Sequence, residues 1–143
     1  MNTLETNVKL NIVQLSTEEV LPIRHTVLWP EKPLDFCKVK GDEEALHFGV
    51  LHNDNLVCVA SIYINKNSAR LRKFATLVPF QGQGLGSSLL KHIFDILKKQ
   101  EVTHFWCDAR VESAGFYAKL GLKTKGAQFY KSELPYIIME KSL

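Results

Sequence analysis

Apolar and polar positions change period several times along the chain, and each change marks an element. Residues 9–14 alternate well enough to predict a first strand. Ser16-Thr17-Glu18-Glu19 follows, with a glutamate three residues after a serine in the manner of a capping box, and predicts a helix to about Val27 that Pro30 and Pro33 stop. Residues 45–52 and 56–64 are apolar and β-branched on either side of Asn53-Asp54-Asn55, which has turn chemistry, so they read as a hairpin. A second polar turn at residues 65–68 leads into a strand over residues 70–77, giving three strands in an antiparallel meander.

The period then becomes helical. Leu85, Leu89, Ile93, Ile96 and Leu97 recur at three- and four-residue spacing while Ser88, Lys91, His92, Asp95 and Lys99 fall on other faces, which predicts a long helix over residues 84–100. Residues 104–109 read as a strand, 112–120 as a short helix closed by Gly121, and 122–141 as two more strands. Strands before and after a central helix predict an α/β (α+β) fold. With 143 residues and no repeat or low-complexity tract, the chain is expected to form a single domain over residues 1–143.

Composition removes several functions. A net charge of +3 is too small for a nucleic-acid binder, and the basic helix positions Lys91, Lys98 and Lys99 have no interleaved aromatic platform. Cys37, Cys58 and Cys107 form no C-x-x-C pair, and the five histidines have no ligand spacing, so no metal is expected. Residues 1–20 lack an apolar leader and no run reaches the ~18 apolar residues of a membrane span, so the expectation is a cytoplasmic protein without a membrane partner.

The chemistry lies where the period changes. Gln81-Gly82-Gln83-Gly84-Leu85-Gly86 joins the end of a strand directly to the long helix. A helix start has unpaired N–H groups and the positive end of the macrodipole, and glycines let a phosphate or pyrophosphate approach that backbone. No Lys-Ser or Lys-Thr follows, which excludes a P-loop, and the spacing is not G-x-G-x-x-G of the dinucleotide fold.

This segment resembles the signature of the GNAT superfamily of N-acetyltransferases, Gln/Arg-x-x-Gly-x-Gly/Ala, with Gln81, Gly84 and Gly86 in register. Leu71-Arg72-Lys73-Phe74-Ala75-Thr76 upstream extends the resemblance, as do Ala109-Arg110 and Phe116-Tyr117-Ala118-Lys119-Leu120-Gly121-Leu122 downstream, and the carboxyl end is similar to a small bacterial subgroup with no characterised acceptor. Leu122 replaces the usual phenylalanine, Pro79 stands one residue later than the common proline, and Tyr136 stands where that subgroup often has histidine.

The resemblance implies a mixed, mostly antiparallel sheet of six to seven strands flanked by about four helices. It also implies acetyl-CoA as co-substrate. The backbone of Thr76, Leu77 and Val78 would pair with the pantetheine arm; Gln81, Gly82, Gln83, Gly84, Leu85, Gly86 and Ser87 would hold the pyrophosphate. Ser113, Phe116 and Lys119 would meet other parts of the cofactor, and Arg110 either those parts or an acceptor carboxylate.

The implied reaction moves an acetyl group to a primary amine, on a small molecule or a lysine side chain, by direct transfer in a ternary complex. Tyr117 matches the family's general acid, the donor to the leaving thiolate. His47, Asp108, Glu112 or a water relay are the candidates for the proton acceptor, and Cys107 reads as a small buried hydrophobe instead of a nucleophile. The alternative is a non-catalytic acyl-CoA sensor or an interaction module, which would keep the loop without needing Tyr117. A homodimer fits the resemblance.

Overall fold

A computed structural model describes residues 11–143. Seven strands form one sheet: β1 (Asn11–Leu15), β2 (Leu46–His52), β3 (Asn55–Asn65), β4 (Ser68–Thr76), β5 (His104–Arg110), β6 (Lys123–Lys131) and β7 (Leu134–Ser142), in the order β1-β2-β3-β4-β5-β7-β6. Every neighbouring pair is antiparallel except β4–β5. Lys9 and Leu10 of the expected first strand lie outside the described residues.

Local chemistry accounts for the turns. Asn53 and Asp54 adopt φ of 50° and 66°, the left-handed pair that a two-residue hairpin between right-twisted strands requires. Ser132 and Glu133, at 48° and 69°, make the same kind of turn between β6 and β7. Side-chain chemistry also sets the first helix, α1 (Thr17–Leu28). Ser16 accepts from the Glu19 N–H while the Glu19 carboxylate accepts from the Ser16 N–H at 2.8 Å, so both halves of the capping box are made. Pro22 lies inside α1, exposed, where its missing N–H removes one ladder bond.

The long helix, α2 (Leu85–Lys99), buries Leu85, Leu89, Leu90, Ile93, Phe94 and Leu97. With α3 (Ala114–Lys119) it covers one face of the sheet, packing on Phe105, Cys107, Ala109 and Leu71. α1 covers part of the other face, where Val20 and Ile23 meet Val59 and Ala75. Alternation along β4 therefore points Ala69 and Leu71 towards α2 and Arg70 and Arg72 the other way.

Three α-helices are described where about four were expected. Between α1 and β2 the prolines at 30 and 33 leave only a 3-10 turn, Leu34–Cys37. The short helix expected from residue 112 begins as another 3-10 turn, Val111–Ser113, and is closed by Gly121 at φ 96°.

Candidate active site

The glycine segment starts α2 as its spacing predicts. Gly82 and Gly84 have φ of 76° and 83°, a conformation that disfavours any residue with a Cβ, and Gly84 is the N-cap. Gly86 is needed for a different reason: a Cβ there would lie 2.6 Å from Phe74 Cζ. The segment is tied down by side chains, since Gln81 Nε2 donates to the Thr76 carbonyl at 2.9 Å and Gln83 Nε2 to the Pro79 carbonyl at 3.1 Å. The first backbone N–H of the helix to find an acceptor is that of Ser88, bonded to the Gly84 carbonyl at 3.0 Å. Among the described residues the N–H groups of Gly82, Gln83, Gly84, Leu85, Gly86 and Ser87 have no protein acceptor. Six donors at the positive end of a helix form a cradle for an anion.

Beside this cradle the sheet opens. The parallel β4–β5 pairing covers only Ser68–His104, Ala69–Phe105 and Arg70–Trp106, after which the two strands part. β4 follows β3 and β5 follows β7 as far as the Arg110–Tyr136 pair, so a wedge separates residues 71–76 from residues 107–110. A bulge helps turn β4 away: between the Val59–Ala75 and Ser61–Arg72 pairs, Ala60 faces both Lys73 and Phe74, and Lys73 adopts φ 54°.

The backbone at the end of β4 divides its polar groups between the two sides. Leu77 donates to the Val57 carbonyl at 2.9 Å, so its N–H faces β3; by alternation the Thr76 backbone groups face the wedge. The Thr76 carbonyl is already taken by Gln81, and Val78 opens a 3-10 turn, Val78–Phe80. Phe116 packs 5.9 Å from Phe74, and the two rings separate the glycine segment from α3. Ser113 is half-buried and Lys119 exposed at the end of α3.

Tyr117 is buried on α3, beside the buried Cys107 thiol on the β5 edge of the wedge. Burial first, then the Cys107 charge and hydrogen bond, push the Tyr117 hydroxyl well above the ordinary tyrosine range. Cys107 is pushed up to about 12, by burial and then by Asp108, against the opposing hydrogen bond from Tyr117 and the charge of Arg70. The thiol is therefore neutral and poorly nucleophilic, whereas Tyr117 keeps a proton to give.

The three proton-acceptor candidates separate. His47 is buried two strands from the wedge, with Nδ1 2.7 Å from Ser61 Oγ and Nε2 2.8 Å from the Asp42 carbonyl. Both ring nitrogens are engaged, which corrects the expectation that His47 borders the cleft. Asp108 does border it, yet a single oxygen, Oδ2, accepts from Arg70 and from Lys131, each at 2.8 Å. Glu112 is exposed and pairs with Arg110 at 2.7 Å, so Arg110 already has a carboxylate partner.

Sequence reading missed the side chains on the sheet face that α1 leaves open. Arg70 lies 4.7 Å from the Trp106 ring, Arg72 5.7 Å from Tyr63, Lys73 4.4 Å from Trp29 and Lys131 4.9 Å from Tyr136. The cluster Arg70-x-Arg72-Lys73 was the available signal, but only the bulge brings Lys73 to the same side as its neighbours. Tyr136 itself stacks on Phe129, with centroids 6.0 Å apart.

The sequence that builds this helix start and splayed strand pair matches a known family. The Acetyltransferase (GNAT) domain model covers residues 32–143, and the chain belongs to the GNAT acetyltransferase family. YitI of Bacillus subtilis, an uncharacterised N-acetyltransferase, is 35% identical over 147 residues, covering 94% of this chain and 97% of that protein. The ribosomal-protein-S18-alanine N-acetyltransferase of Escherichia coli has the same fold, with a TM-score of 0.78, 22% identity and 94% of each chain covered. So has the PaiA N-acetyltransferase of Thermoplasma acidophilum, solved in complex with coenzyme A, with a TM-score of 0.72 and 17% identity over 95% of this chain and 100% of that one. The protein is an acetyltransferase with a seven-stranded, mostly antiparallel sheet.

Proposed function

We propose that the chain works as one acyl-CoA N-acyltransferase domain that moves the acetyl group of acetyl-CoA to a primary amine, on a small molecule or a lysine side chain, within a ternary complex. The observation that carries this reading is the set of six unpaired N–H groups at the start of α2, beside the wedge that Tyr117 borders. The donor set fits the group: a pyrophosphate has the oxygens and charge these N–H groups lack, and the open glycine surface at 82 and 84 leaves room for it. Coenzyme A bound in a structural relative supports the same assignment.

Acetyl-CoA supplies an activated thioester, and the chain has three tasks around it. The backbone of residues 82–87 would bind the pyrophosphate, and the Thr76 N–H, which faces the wedge, would orient the pantetheine arm. An alkyl amine with pKa near ~10.4 is mostly protonated at neutral pH, so it must lose a proton before it attacks. Asp108 is engaged twice and His47 lies elsewhere, which favours a water relay to bulk solvent. As the new N–C bond forms and the C–S bond breaks, Tyr117 gives its hydroxyl proton to the departing sulfur and is reprotonated from water.

Coenzyme A release from acetyl-CoA across a panel of primary amines tests the proposal. Turnover with at least one acceptor is expected. Tight coenzyme A binding in calorimetry with no transfer to any amine would favour the sensor reading instead.

A further inference from the structure

The open sheet face holds more positive charge than its own carboxylates balance. Arg70, Arg72, Lys73 and Lys131 come from β4 and β6, and among the described residues the only carboxylate paired with any of them is Asp108, shared by Arg70 and Lys131. Arg72 and Lys73 have no ion-pair partner among the described residues, and Arg70 Nε is buried without an acceptor. Arg24, close behind, is fully buried and its charge is neutralised by a bidentate pair with Asp42 at 2.9 and 3.0 Å, although its Nε, like that of Arg70, has no acceptor among the described residues.

Holding these cations together is unfavourable. Burial first, then the charges of Arg72, Lys131, Arg24 and Arg70, lower the Lys73 pKa to about 8. The aromatic faces of Trp106, Tyr63, Trp29 and Tyr136 fix the cationic heads in place and contribute on the order of 1 kcal/mol each, but they carry no net charge. A bound anion would relieve the repulsion and satisfy the free donors. Lys73 stands at the bulge where β4 turns from β5, so such an anion would lie beside the wedge, on the face opposite α2 and α3. The glycine cradle opens α2 and is a separate anion site.

We propose that the acceptor is a small amine that also carries an oxyanion, a carboxylate or a phosphate, held by Arg72 and Lys73 with Lys131 at the rim, so that its amino group points into the wedge. This rests on the acetyl-transfer reading above and specifies its substrate. Arg110, for which the resemblance implied an acceptor carboxylate as one role, pairs with Glu112 at 2.7 Å, and Lys131 with Asp108 at 2.8 Å, so Arg72 and Lys73 are the cations of this proposal without a carboxylate partner among the described residues.

Matched amines provide the test, with coenzyme A release as readout: propylamine against β-alanine for the carboxylate, and ethanolamine against O-phosphoethanolamine for the phosphate. At least one anionic amine should exceed its neutral counterpart by about tenfold or more in kcat/KM, the scale of one hydrogen bond to a charged group. Which pair shows it identifies the oxyanion. Arg72→Gln and Lys73→Gln should each shrink that ratio, with coenzyme A binding in calorimetry reporting that the variant is folded. Equal or better transfer to the neutral amines overturns the proposal and leaves acetyl transfer standing, as does a ratio that survives the double variant. No transfer to any amine removes both. If a variant does not fold, the wild-type ratio decides.

Discussion

Tyr117 and Cys107 divide the chemistry of one small contact. Both are buried, both are kept protonated, and their side chains meet where β5 leaves β4. A phenol that stays protonated is useful only as a donor, so Tyr117→Phe should lower kcat about 100-fold, at the low end of general-acid effects, while the dissociation constant for coenzyme A changes little. Stopped-flow turnover and calorimetry on the same variant separate the two. The sign of the pKa shift gives a second expectation. Activity that depends on protonated Tyr117 should persist as pH rises through ~10, where an ordinary tyrosine ionises, and fall only beyond it. A falling limb centred at or below ~10 that disappears in Tyr117→Phe would contradict the shift and its cause in burial.

At the scale of elements, the site is made by a strand that is bent and a helix that starts abruptly. Phe74, the second residue of the β4 bulge, lies against Gly86 on one side and Phe116 on the other, so the bulge, the first turn of α2 and α3 are locked through one ring. Gly86→Ala would force Phe74 to move and should cost about 1–3 kcal/mol of stability, measured by denaturant unfolding, together with weaker coenzyme A binding. Adding Phe74→Leu should recover part of both losses. A neutral Gly86→Ala would mean that the ring yields freely. The elements themselves were largely legible in the sequence: the hairpin turn at Asn53 and Asp54, the capping box of α1 and the amphipathic stripe of α2 each rest on contacts within a few residues. The bulge was not, because Lys73 and Phe74 show no turn residue and the extra residue exists only relative to β3.

Across the whole molecule, the open sheet face depends on a polar core behind it. Arg24 from α1 binds Asp42, Ser61 and the Cys37 carbonyl, and Asp42 in turn accepts from Tyr63 and from the Val39 N–H. Burial alone would raise the Asp42 pKa; the Arg24 hydrogen bonds, then Tyr63, Val39 and the Arg24 charge, outweigh it and hold the carboxyl at about 2. A folded pKa below the unfolded ~3.9 stabilises the fold above that pH, and the contribution is lost as pH falls through about 2. Asp42→Asn should cost about 3 kcal/mol near neutral pH, because it leaves Arg24 buried without a counter-charge, and the gap from wild type should narrow towards pH 2. Urea unfolding of both proteins across that range checks it, and a pH-independent gap would show that the ion pair is not its source.

Sequence alone determined the parts that short-range forces specify: the run of strands and helices, the glycine helix start and its anion-binding character, and through the motif the resemblance to acetyltransferases. Backbone donors at a helix start follow from local conformation, so three glycines at the right offsets suffice to announce them. Tertiary structure alone decided where the long-range partners went. It removed His47 from the cleft by engaging both ring nitrogens, gave Asp108 two cations, and gathered Arg72, Lys73 and Lys131 from strands β4 and β6 onto one face. Charge and proximity between residues 38 or 58 positions apart, as in Arg70 with Asp108 or Lys73 with Lys131, have no trace in a linear pattern; they exist only once the sheet sets its order and the bulge sets its register.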